Sequence, residues 1–211
     1  MNREMIENVA NAVLYQGYVR HPPPMSSRTN LQRFNFGVLC PEGFGVSTQR
    51  TECLVCSDGE AAIDVTVRYL RLDASQRAHE RAVEISGLTP PGLVESPRVE
   101  LVDAGELRIS AQPLTGRCYR LTVEVRNTNR REPGAPRDEV LLESMISVHT
   151  ILGVQGGNFP SLLDPPPGLE TEAHLCRNAG AWPVLIGDEG SHDAMLSSPV
   201  ILYDYPHVLP A

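Results

Sequence analysis

The chain has 211 residues, of which 41% are hydrophobic and 21% charged, with a formal charge of −8. That is the composition of an ordinary folded protein, long enough to bury a core without help from a metal or a disulfide. The acidic balance argues against sequence-independent nucleic-acid binding and against attraction to an anionic membrane surface. All 18 basic residues are arginine, which excludes a Walker-type phosphate lysine, a Schiff-base lysine and a Ser-Lys dyad.

In chain order, residues 4–15 fit a helix, with Met5, Val9, Ala12 and Val13 near helical spacing, while residues 12–19 fit a strand equally well. Neither a signal peptide nor a presequence is expected there, and no apolar run reaches membrane-spanning length, so the reduced cytoplasm is the expected compartment. A proline triplet, Pro22 to Pro24, marks a loop over 21–30. Strands are predicted over 33–39, 51–56 and 62–72. The last is the best of the first half, with Ile63, Val65, Val67 and Tyr69 alternating with polar neighbours. Residues 75–84 are polar and suit a helical turn.

Two strands, 98–102 and 106–110, are expected about a three-residue loop of Asp103, Ala104 and Gly105, with Gly105 at positive φ. Residues 117–127 form the clearest strand, with Tyr119, Leu121, Val123 and Val125 on one face. Another follows over 143–154, and Gly156-Gly157 predicts a hairpin into 158–163. After the rigid segment 165–168 come a short helix over 171–178 and buried strands over 184–186 and 200–203.

Regular short strands between turn signals predict a mainly β protein. The expected architecture is an antiparallel β-sandwich or barrel-like sheet with a few short helices, with α+β as the fallback. A single domain over 1–211 is expected, divisible into a β-rich core (1–164) and a C-terminal extension (165–211) packing on it.

No residue pattern carries a complete catalytic signature. Cys53 and Cys56 have the CxxC spacing of zinc knuckles and redox sites, but a structural zinc site needs four ligands and no second pair exists. No helix is predicted after Cys56, which removes the thioredoxin context. Five cysteines are odd in number and not spaced as a disulfide framework. A metal set would draw on Cys53, Cys56, His174, Cys176 and His149, with Cys40 in reserve, since thiolates and imidazoles suit nickel, iron or zinc. The alternative reading of the cysteines is as small buried apolar side chains. His149 shares a strand face with Ser147 and reads as a ligand or base on an exposed sheet face, or as a surface or edge histidine. The glycines of 153–157 lack the following helix that an anion site needs. Asp204, between Tyr203 and Tyr205, is either a carboxylate in an aromatic recess or a turn cap.

Several strings occur in a recognisable order: AVLYQG at 12–17, FGVL at 36–39, TECL at 51–54, SVHTIL at 147–152, FPSLLDP at 159–165, WPVLIG at 182–187 and MLSSPVILYDYP at 195–206. Together they resemble an uncharacterised protein family encoded beside NiFe-hydrogenase genes, chiefly in actinobacteria and some soil proteobacteria. Its members continue past the Asp-Tyr-Pro segment with an acidic and then helical tail, so this chain is expected to be a short or truncated member. The resemblance supplies no catalytic residues. It implies a non-catalytic accessory or interaction protein for hydrogenase assembly or maturation, with a hydrogenase subunit or maturation factor as partner. No cofactor is expected on this reading, and homo-oligomerisation stays open. The alternatives are a metal-handling protein built on the Cys/His set above, and an enzyme of unknown class with His149, Asp204, Tyr203 and arginines around a cleft.

Overall fold

The computed structural model describes residues 3–14, 37–131 and 134–207. Within them the chain runs α1 (Arg3–Leu14), β1 (Thr48–Cys56), β2 (Ala62–Leu72), β3 (Ala78–Leu88), α2 (Pro90–Glu95), β4 (Arg98–Val102), β5 (Gly105–Pro113), β6 (Cys118–Asn127), α3 (Arg137–Leu142), β7 (Ile146–Gln155), α4 (Glu170–His174), β8 (Trp182–Leu185) and β9 (Ala194–Ser198). The strands form two antiparallel sheets, one in the order β1-β6-β5-β4 and one in the order β3-β2-β7-β9-β8. The expected mainly β, antiparallel architecture is present, as two sheets and not a closed barrel. No helix among the described residues is long and apolar enough to cross a membrane.

The two sheets are built by period-two alternation. Ile63, Val65, Val67 and Tyr69 of β2 meet Leu121, Val123 and Val125 of β6, Leu107 and Ile109 of β5, and Val148 and Leu152 of β7 in one continuous core. Each such side chain, taken from water to full burial, contributes roughly 1.5–3 kcal/mol. The opposite face of the five-stranded sheet carries a second layer. Here α1 lays Ile6, Val9, Ala10 and Val13 on Val184, Ile186, Ala194 and Leu196. Leu14 packs with Leu70, Leu72 and Ile146. The stripe at 6, 9, 10 and 13 has helical spacing, so the helical reading of the N-terminal segment holds over 3–14.

Several sequence expectations are corrected. The polar segment 75–84 is no helical turn. Asp73 accepts bonds from the Ser75 and Arg77 backbone N–H groups in a tight turn, and the chain enters β3. β3 is an edge strand on which only Val83, Ile85 and Leu88 pack inward, so its charges masked its alternation. Gly105 is a strand residue paired with both Val102 and Asn127, not a positive-φ loop residue. Its lack of a side chain admits the neighbouring strand, because a Cβ there would lie 1.8 Å from the Arg126 carbonyl oxygen. The hairpin expected after Gly156-Gly157 does not form. β7 pairs instead with β2 and β9, and the chain crosses to bond Asn158 with Cys56. The last strand is 194–198, not 200–203. β9 is buried throughout, and a short strand buried on both faces shows no polar alternation.

Thr89-Pro90-Pro91 starts a helix rather than merely breaking a strand. Thr89 Oγ1 accepts from the Gly92 N–H, and proline occupies the first turn, where its missing N–H costs nothing. The strand expected at 33–39 and the loop at 21–30 lie outside the described residues, apart from 37–39, where Leu39 bridges Met145.

Candidate functional site

The cysteine and histidine candidates do not gather. Cys53 points into the core and is fully buried, and burial pushes its thiol well above its usual range. Cys56, three residues on, faces the other way and forms a disulfide with Cys118 of β6. The two are direct cross-strand partners with Cα atoms 4.1 Å apart. Both backbone groups of Cys56 turn instead to Asn158, which leaves it in a non-hydrogen-bonded pair with Cys118, where side chains approach most closely. The sequence spacing gave no sign of this bridge; only the register of β1 on β6 does.

His174 sits exposed on α4 and bonds the Glu170 carbonyl. Cys176 donates to the Glu172 carbonyl, and burial pushes its thiol up to about 11 despite the nearby Arg120 guanidinium. It is therefore a protonated, weakly nucleophilic thiol at neutral pH. His149 lies on the five-stranded sheet and is not an exposed or edge residue, as the sequence suggests, but completely buried. Among the described residues, no three His, Cys, Asp or Glu side chains gather closely enough to hold a metal ion. Asp204 ties down two distant segments of the chain. Its carboxylate accepts from Ser161 Oγ at 2.5 Å and from the Leu185 backbone N–H at 2.8 Å, while Tyr203 is exposed.

The polar groups that the structure does bring together lie along the side of the sandwich bounded by β1 and β8. Gln49 and Thr51 share the inward face of β1 with Cys53 and Val55. Gln49 Nε2 donates to the carbonyls of Val148 and Gly180, and Thr51 Oγ1 bonds Ser197 Oγ at 2.6 Å. Arg50 and Ala179 exchange both backbone bonds, so the chain leading into β8 closes the β1 edge. On the outer face of the same strand, Glu52 is nearly buried. Burial alone would raise its carboxyl. The Arg177 backbone N–H, the Arg50 guanidinium and the charge of Arg120 outweigh that and hold it below its usual value. Asn178 clasps the Glu52 backbone from both sides. This group of residues escaped the sequence reading. The one available signal was parity, which puts two polar side chains, Gln49 and Thr51, on the inward face of β1.

The opposite side, bounded by β3 and β4, is built differently. Among the described residues no backbone bridge joins these two strands. Arg81 of β3 pairs with Asp103 beyond β4 at 2.9 Å, both well exposed. Arg98 and Glu100 pair with each other on the inward face of β4, opposite Ile109 and Leu107. The other face of β4 carries Val99, 47% exposed, and Leu101, 85% exposed. Beside it a shallow depression of about 550 Å³ lies between Leu88, Thr89, Pro97 and Val99. Leu93 of α2 closes off the core beneath.

Compared with known proteins, the chain matches no protein-family model and no curated protein.

Proposed function

We propose that this protein is a non-catalytic accessory module that binds a protein partner, in the setting its sequence resemblance implies: assembly or maturation of a NiFe-hydrogenase, with a hydrogenase subunit or maturation factor as partner. The observation that carries the reading is the contrast between the two sides of the sandwich. Its β1/β8 side uses its polar groups on itself. Among the described residues the β3/β4 side keeps two strand edges unjoined, with Val99 and Leu101 turned outward. An unpaired edge beside exposed apolar side chains is suited to docking an extended partner segment or a partner sheet. The inward-pointing Arg98–Glu100 pair and the charges of β3 discourage indiscriminate edge-to-edge pairing, which favours a specific partner over aggregation.

The test is co-purification of the tagged full chain with individually produced hydrogenase subunits and maturation factors, each in its immature and mature form. One of them is expected to elute with the chain at a fixed ratio. No association with any of them in any maturation state would overturn the reading.

A further inference from the structure

The most unusual group in the molecule is His149. It stands on the outer face of β7, between Ser147 and Ile151 on the same face. α1 covers this region. Ser147 Oγ donates to the Val13 carbonyl, Ile151 packs in the α1 cluster, and Arg68, the cross-strand partner of His149, donates to Asn11 Oδ1 at 2.6 Å. His149 Nδ1 bonds the Ser147 carbonyl at 2.9 Å, whereas its buried Nε2 has no hydrogen-bond partner among the described residues. A buried ring nitrogen without a partner is tolerable on a neutral imidazole and costly on an imidazolium, whose second N–H would be left unsolvated.

The charges facing the ring come from two strands. Arg68 of β2 opposes protonation and Glu80 of β3, ion-paired to Arg68 at 2.6 Å, favours it. β9 carries no charged residue, and on α1 the carboxylates Glu4 and Glu7 sit on the exposed side. Burial dominates, and the ring titrates at about 4 rather than its ordinary 6.5.

The layer that α1 closes is separate from the core between the sheets, which contains no residue of α1. We propose that α1 is a releasable cover locked by neutral His149, and that protonation of His149 undocks it while the two-sheet core stays folded. Once undocked, the ring meets water and regains its ordinary affinity for a proton. The released state therefore binds more protons than the docked state between pH 6.5 and about 4. Docking is fully favoured above pH 6.5 and weakens as pH falls through this window, by up to about 300-fold. A helix of 12 residues is marginal alone in water, so a released α1 unravels and uncovers the apolar face of Ile151, Val184 and Leu196.

The experiment is hydrogen–deuterium exchange of the full chain, resolved by peptide and corrected for the intrinsic pH dependence of exchange, between about pH 7 and pH 4. Protection of α1 is expected to fall on the order of 100-fold across that range while peptides of β5 and β6 keep theirs. His149→Gln, which cannot take up the proton, is expected to flatten the dependence. Val9→Ala removes apolar contact from the α1 cluster while leaving the imidazole in place, and is expected to move release to higher pH. Unchanged protection of α1 down to pH 4, loss of α1 and β6 together, or an unaltered pH dependence in His149→Gln would each overturn the proposal. The wild-type profile decides by itself should His149→Gln fail to dock α1.

Discussion

The β1/β8 side and the β3/β4 side of the sandwich face the same physical problem, the unpaired edge of a sheet, and solve it in opposite ways. β1 is joined along its length to the rest of the chain. Ala179 and Asn158 bond its backbone, Gln49 and Thr51 tie it to the second sheet, and the disulfide to Cys118 fixes its end. β3 and β4 are held apart from other chains mainly by charge, through Arg81–Asp103 and Arg98–Glu100. A buried hydrogen-bonded closure is expensive to disturb, because each broken bond strands a partner away from water. An exposed ion pair contributes little. One side is thus committed to holding the fold, while the ion pairs of the other can be broken at little cost to it.

Four substitutions sharpen this comparison. The largest effect is expected at the disulfide, which closes a loop with a sequence separation of 62; chain entropy alone assigns it about 4 kcal/mol. Cys56→Ser should lower the urea midpoint of the oxidised protein accordingly, and added dithiol should then affect only the wild type. Gly156→Val comes next. Gly156 has φ +70°, and a Cβ there would meet the Glu60 carbonyl oxygen at 2.3 Å, so a loss of about 3 kcal/mol is expected in the same denaturation assay. Gln49→Leu removes the donor to two carbonyls inside the closed side; about 2 kcal/mol is expected, read as a lowered thermal midpoint. Arg81→Ala breaks an ion pair whose two side chains are 52% and 51% exposed, and should shift stability by no more than about 0.5 kcal/mol. An open-side loss as large as that at Gln49 would erase the distinction between the sides.

The sequence disclosed those parts of the fold that rest on alternation against a single core. β2 and β4 match their predicted bounds, and β6 is displaced by one residue at its start. What it hid was context. β3 reads as polar because, among the described residues, only its inward face and its β2 edge are covered. β9 is silent because it is buried on both faces. Gly105 reads as a turn glycine, although its role is to let Arg126 pass. The candidate residues were legible as types but not as positions. His149 falls on the predicted face with Ser147, but nothing in the sequence says that α1 lies over that face. Cys53 and Cys56 read as a pair, while the true partner of Cys56 is set by the register of a strand far along the chain. Exposed edges are expected of any such sandwich, but which strands form them could not be read, since strand order is a property of the assembled sheets.

The most direct test of the account compares two exposed apolar residues on opposite sides of the sandwich: Leu101 on β4 and Trp182 on β8, 85% and 41% exposed. Binding of the proposed partner, a hydrogenase subunit or maturation factor selected by the co-purification test, is titrated against Leu101→Arg and Trp182→Arg, after circular dichroism shows both folded. The account predicts at least about a tenfold loss of affinity for Leu101→Arg, the scale of a central contact residue, and wild-type binding for Trp182→Arg. Undiminished binding by Leu101→Arg, with the loss falling on Trp182→Arg instead, would contradict it.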